Sequence, residues 1–206
     1  MVYNFDPKYV NGTIFEFAEW DMLGDFGECY RANKPIPASY FPQSLTVAKA
    51  TKALPDMIRA SRSLIVFSER ARTLLEQQAP GQVEFIPVSI HAESKIASRL
   101  KLDDAYYFIN VLGRAQRLLW LEMPIRIFPT SEDGVQRVLP ANDYSQWKLR
   151  QRAADEPLIW HEDCWHFDKK QYRASTHILV EDALWQELNT CLPYQLNAQR
   201  VGADII

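Results

Sequence analysis

Leu64-Ile65-Val66-Phe67-Ser68-Glu69-Arg70-Ala71 decides how the chain is read. Its four leading apolar residues suit a short buried strand. Ser68 can then accept a hydrogen bond from an early helical amide. Ala71, Leu74, Leu75 and Gln78 fall at helical spacing, and Pro80-Gly81 closes the run. The stretch predicts strand, cap and a helix over 69–78. A related pattern, His177-Ile178-Leu179-Val180-Glu181-Asp182-Ala183, leads into a predicted helix over 181–190, with Leu184 and Leu188 four apart. Laid side by side, Glu69 matches Glu181 and Ala71 matches Ala183, which suggests a duplicated strand–helix unit.

Between these units the pattern is mostly that of strands. Val83 and Phe85 alternate with Glu84, and Pro87 stands near the end of that strand. Ala105 to Leu112 is aromatic and β-branched. Residues 118–123 and 125–128 read as two strand pieces split by Pro124. Asp133-Gly134 is a turn, with a return strand over 135–139. Residues 158–161 and 175–180 read as strands around a polar stretch, and 90–104 as a connector. Before position 64 the pattern is weaker. Phe15, Phe17 and Trp20 suggest a short strand, and Pro35, Pro37 and Pro42 an extended loop. Leu54-Pro55-Asp56-Met57-Ile58 reads as the start of a short helix. The expected fold class is α+β: a mixed or antiparallel central sheet with short flanking helices. Residues 1–63 form an irregular region packed on an α+β domain over 64–206, the whole being one compact unit.

Composition bounds the function. The 206 residues are 47% hydrophobic, enough for a sizeable core. A formal charge of -3 gives no general attraction to nucleic acid. No run approaches the length of a membrane-spanning helix, and the first ten residues lack the pattern of a signal peptide. Three cysteines, Cys29, Cys164 and Cys191, are a poor disulfide framework and suit a reducing, cytoplasmic setting.

Chemical motifs are sparse. His161, Cys164 and His166 sit within Trp160-His161-Glu162-Asp163-Cys164-Trp165-His166-Phe167-Asp168 and are of types that bind zinc. They motivate a metal-dependent hydrolase as one alternative, against a plain hairpin of aromatic and polar residues. Ser68 lacks a nucleophile elbow and is explained by capping. Asp103-Asp104 reads as a solvated loop, and no phosphate-binding glycine motif occurs. No catalytic residue and no cofactor is assigned. The region from Tyr144 to Trp165 mixes aromatic and charged side chains. Tyr144, Trp147, Lys148, Arg150, Arg152, Trp160 and Trp165 are the candidate protein-binding residues, since tryptophan and arginine are enriched at binding hot spots. A structural or regulatory protein-binding subunit is the second alternative.

An ordered set of segments resembles a family of bacterial immunity proteins from polymorphic toxin systems, the myxobacterial-type immunity domain. The segments are Leu54-Pro55-Asp56, Leu64 to Arg70, Gly81 to Val88, Tyr106 to Leu112 and Ile178 to Leu184. Two positions depart from the family pattern. Its Val-Ser-Glu is Leu179-Val180-Glu181 here, and Leu192-Pro193 occupies the place of a glycine. The resemblance implies a cytosolic antitoxin that binds a cognate toxin or effector protein and occludes its active surface. Self-association stays open; no membrane or nucleic-acid partner is expected.

Overall fold

The computed structural model describes residues 1–9, 13–17, 24–32, 34–50, 53–61, 64–100, 105–130, 134, 136–168, 170–172 and 177–202. Trp20, Asp103-Asp104 and Asp133 lie outside them. In chain order the first elements are β1 (Val2–Asn4), β2 (Ile14–Glu16), α1 (Asp25–Ala32), β3 (Ser44–Lys49), β4 (Met57–Arg59), β5 (Ile65–Ser68) and α2 (Glu69–Gln78). Next come β6 (Val83–Ala92), α3 (Ser94–Leu100), β7 (Tyr106–Val111), β8 (Arg114–Ala115), β9 (Ile125–Thr130) and β10 (Gln136–Pro140). The last are β11 (Ile159–Glu162), β12 (Trp165–Phe167), β13 (Lys170–Tyr172), β14 (Ile178–Glu181), α4 (Asp182–Cys191) and β15 (Arg200–Val201).

These strands build three sheets: β2-β3-β6-β7-β5-β4, β15-β1-β14-β11-β8 and β12-β13-β10-β9. The α+β expectation is therefore corrected. The fold is mainly β, including a curled half-barrel, with four α-helices among the described residues. The extra strand content comes from segments of two or three residues, such as β1, β4, β13 and β15. Each is too short to show a period of two and is held by its neighbours. Met57–Arg59, expected to start a helix, instead pairs antiparallel with β5. The segment expected as a strand over 118–123 contains a 3-10 turn at Trp120–Glu122. A boundary at 63/64 would fall between the paired strands β4 and β5, and β1 lies inside a sheet against β14.

The two strand–helix units are equivalent, but one residue out from the alignment suggested by Glu69 and Glu181. Ser68 and Glu181 hold the same place, immediately before two ten-residue helices. The same offset carries Ile65 onto Ile178, Leu75 onto Leu188, Pro80 onto Pro193, Gln82 onto Gln195 and Val88 onto Val201. Pairing registers agree with it. Met57, Ile58 and Arg59 face Phe67, Val66 and Ile65, just as Ile159, Trp160 and His161 face Val180, Leu179 and Ile178. Tyr106 stands opposite Ser68 as Val2 stands opposite Glu181. Both helices close alike: Ala79 N–H bonds Leu75 O and Leu192 N–H bonds Leu188 O, each at 2.8 Å. Two residues later the backbone turns left-handed, at Gly81 (φ 72°) and at Tyr194 (φ 65°).

Each unit then hooks the other. Gln82 Oε1 accepts from the amides of Leu158 (2.7 Å) and Ile159 (3.2 Å), at the start of β11. Gln195 Oε1 accepts from the amide of Met57 (2.7 Å), at the start of β4. Met57 and Ile159 are equivalent positions, so the exchange is reciprocal. Strand-end amides that would otherwise lack a partner are satisfied across the seam. A shared core joins the units and includes Phe67, Leu75, Val180, Leu188 and Phe5. A separate core lies on the far side of each sheet, around Ile58, Val66 and Phe108 in the first lobe and around Trp160, Leu179 and Trp147 in the second.

Candidate functional site

The candidate binding residues from Tyr144 to Trp165 have mostly structural places. Trp147 and Trp160 are 2% and 0% exposed and belong to the second lobe's core, so they offer no surface. Trp147 Nε1 donates to Ala141 O at 2.8 Å. Tyr144 is half-buried and hydrogen-bonds His177 Nε2; burial raises its phenol pKa and keeps it protonated. Lys148 lies 3.8 Å from Glu122, an exposed pair that contributes little stability. Arg150 grips both oxygens of Glu156, and this hydrogen bonding holds the Glu156 carboxyl below its ordinary range. Arg152 donates to the carbonyl of Glu156. The basic run thus ties down its own loop. Trp165 is half-exposed, with its ring 4.9 Å from that of Tyr172. It lines an apolar groove of about 270 Å³ with Trp120 and Leu121.

The three candidate metal ligands are distributed across two sheets. His161 lies on β11 in the five-stranded sheet, and His166 is exposed on β12 in the four-stranded sheet. Cys164 sits in the break between them. Counting alternate faces through the whole segment does not hold, because the strand stops at Glu162 and a new one starts in another sheet. Among the described residues, no group of three or more His, Cys, Asp or Glu side chains can hold a metal ion. Ser68 is a cap: its Oγ accepts from Ala71 N at 3.3 Å and donates to Asp56 Oδ1 at 2.7 Å.

A buried charge network, not apparent in the sequence, lies within the second lobe. Arg117 is 1% exposed and pairs with Glu181. Its guanidinium lies 4.6 Å from the Trp160 ring centre and donates to Arg150 O at 3.2 Å. Glu162, also 1% exposed, accepts from the amides of Arg117 (2.6 Å) and Leu118 (2.7 Å) and from Trp160 Nε1 (3.3 Å). Burial pushes its carboxyl up to about 7 against these donors, which favour the charged form.

Two surface features have the character of binding sites. The first is the four-stranded sheet, β12-β13-β10-β9. Trp165, Tyr172, Val138 and Ile127 are aligned across it, with Tyr172 and Val138 in the second lobe's core. At its edges that apolar character reaches solvent: Ile127 is 52% exposed, Phe128 41% and Phe167 52%. The edge strand β9 is exposed from Arg126 to Thr130. The four strands carry Arg126, Arg137 and Lys170 and no carboxylate, although the whole chain is acidic.

The second is a cleft of about 430 Å³ at the seam between the repeated units. Arg59 and His161, Phe5 and Ile109, and Asp6 and Asn110 line it as equivalent pairs. Arg59 forms an ion pair with Asp6, and its guanidinium lies 5.3 Å from the ring centre of Tyr9. His161 Nδ1 is 3.1 Å from His177 O. Burial, helped by Arg114, lowers the His161 pKa to about 3, so the imidazole is neutral. The local sequence marks His161 as a candidate metal ligand and gives no sign of Arg59 or Asp6. These residues lie far apart in the chain, and strand pairing brings them together.

No family model matches this chain, and no curated protein is significantly similar to it. No helix among the described residues is long and apolar enough to cross a membrane.

Proposed function

We propose that this chain is a cytoplasmic bacterial immunity protein that binds a cognate toxin or effector and occludes its active surface. The observation that carries the reading is the four-stranded sheet. An exposed edge strand offers unpaired backbone groups to an incoming chain. On that strand Ile127 and Phe128 are exposed next to Arg126, and Arg137 lies on the neighbouring β10. Together they suit a partner with an apolar patch rimmed by carboxylates. Complementary charge of this kind speeds association and orients the encounter. The sequence resemblance to immunity proteins supports the same reading. So do three free cysteines, which fit a reducing compartment.

The test is co-expression with the product of the adjacent gene in a susceptible bacterium. Protection from that product's toxicity, together with co-purification of the two chains, is the expected result. Growth arrest despite full expression, with no complex recovered, overturns the pairing. A regulatory subunit would give a complex without any rescue from toxicity.

A further inference from the structure

We infer that the cleft at the seam between the repeated units binds a small, uncharged, planar ring bearing a carbonyl next to an N–H, that is, a lactam or imide heterocycle. This proposal is independent of the sheet and of the immunity reading. It starts from charge. The charges of Arg59 and Asp6 offset each other, His161 is neutral, and the Tyr144 phenol stays protonated. A charged ligand would be desolvated there without a counter-ion, so a neutral one is favoured.

Hydrogen bonding narrows the class. Arg59 Nη2 forms an ion pair with Asp6 Oδ1, while among the described residues Arg59 Nε–H is buried with no acceptor and Asp6 Oδ1 with no hydrogen-bond donor. Such an orphaned donor costs stability unless a ligand or water satisfies it. His161 supplies the complement. A carbonyl only accepts, so the contact with His177 O places the proton on Nδ1. In the neutral ring Nε2 is then a bare acceptor, and among the described residues no hydrogen-bond donor meets it. Arg59 and His161 occupy equivalent places in the two units and both line the cleft. One unit thus presents a donor and the other an acceptor. The complementary ligand edge has a carbonyl for Arg59 Nε–H and an N–H for His161 Nε2.

The walls favour a flat molecule. Tyr9, Tyr30, Phe41 and Tyr144 contribute aromatic rings to the lining. The volume of about 430 Å³ lies within the range of small-molecule sites.

Calorimetric titration of the full chain with uridine and with N3-methyluridine tests the proposal. Uridine carries the required edge; methylation removes its N–H. Wild type is expected to bind uridine saturably at millimolar concentration or below, and methylation to weaken binding about tenfold, the value of one hydrogen bond of ordinary strength. His161→Phe should lose about the same factor for uridine. It should also bind the two nucleosides alike, because the group that distinguishes them is gone. Arg59→Lys keeps a cation beside Asp6, removes Nε–H, and should weaken both nucleosides equally. It is the working variant if His161→Phe does not fold. Absence of saturable uridine binding by wild type overturns the proposal. So does equal wild-type affinity for the two nucleosides, a methylation penalty that survives in His161→Phe, or unchanged affinity in Arg59→Lys.

Discussion

The two repeated units share a backbone and differ in what they place on it. Position by position, Ile58 in the first is Trp160 in the second, Ser68 is Glu181, Arg59 is His161 and Gly81 is Tyr194. Arg72 lies over Tyr107 at 4.8 Å where Trp185 stacks on Tyr3 at 4.4 Å. The shared elements are the ones that answer to the backbone: strand register, helix closure, and the glutamines whose side chains accept amides across the seam. The differing elements answer to local surroundings. The first lobe fills its outer core with aliphatic and phenylalanine side chains. The second fills it with tryptophans and sets a buried ion network beside them. Hydrogen-bond geometry therefore constrains the repeat more tightly than side-chain chemistry does.

The core positions should show the largest effect. Trp160→Ala removes a fully buried indole and with it one of the donors to Glu162; it should cost about 4 kcal/mol in urea unfolding. Ile58→Ala at the matching place should cost about 3 kcal/mol. A Trp160 variant of unchanged stability would return this residue to the list of surface candidates.

The positions before the helices come next. Glu181→Ala leaves Arg117 buried without its carboxylate, at about 3 kcal/mol. Ser68→Ala removes a cap and a hydrogen bond to Asp56, at about 1 kcal/mol. Equal losses would mean that the ion pair contributes no more than the cap.

Between pH 4.5 and 6.5, His161 and Glu162 act in opposite directions. His161 is held down at about 3 from 6.5, so its contribution is present above pH 6.5 and is lost as pH falls through that range. Glu162 is raised from 4.5 to about 7, so its contribution is present below pH 4.5 and is lost as pH rises to 7. Glu162→Gln can still accept the amides of Arg117 and Leu118 while removing the titration. Its stability relative to wild type should therefore improve from pH 4.5 to 7, followed by urea midpoints. A constant difference would mean that Glu162 keeps its ordinary pKa.

The smallest effect is at the turn after α4. Tyr194 is 85% exposed and holds a left-handed φ of 65°, where the first unit has glycine. Tyr194→Gly should gain about 1 kcal/mol or less, a shift readable in the thermal midpoint. A destabilised variant would show that the tyrosine ring makes up for its backbone strain.

Elements with both a cap and a stop were legible in the sequence. The helix predicted over 69–78 is α2, because Ser68 and Pro80-Gly81 mark both ends; α4 lies one residue beyond its predicted span. The aromatic run of β7 also declared itself. The three-residue strands did not, since pairing with distant partners, as of Val2 with Glu181, defines them. The repeat is visible in the sequence, but Glu69 and Glu181 align one residue away from the true register, which Pro80-Gly81-Gln82 against Pro193-Tyr194-Gln195 carries. A one-residue slip reverses which side chains face the core: it sets Val66 against Ile178, where the pairing registers set it against Leu179. The tryptophans were recognisable as important, but composition does not separate a core indole from an interface one. Arg117, 1% exposed beside Glu181, stands between two segments that read as strands, with no local sign of its partner.

Binding of the adjacent gene's product to immobilised wild type and to Phe128→Asp on β9 tests the proposed function most directly. The account predicts a tight complex with wild type, and dissociation at least about tenfold faster for the variant, which places a carboxylate on the sheet that should meet an acidic rim. A complex of equal lifetime with both proteins, or none with wild type, would contradict it.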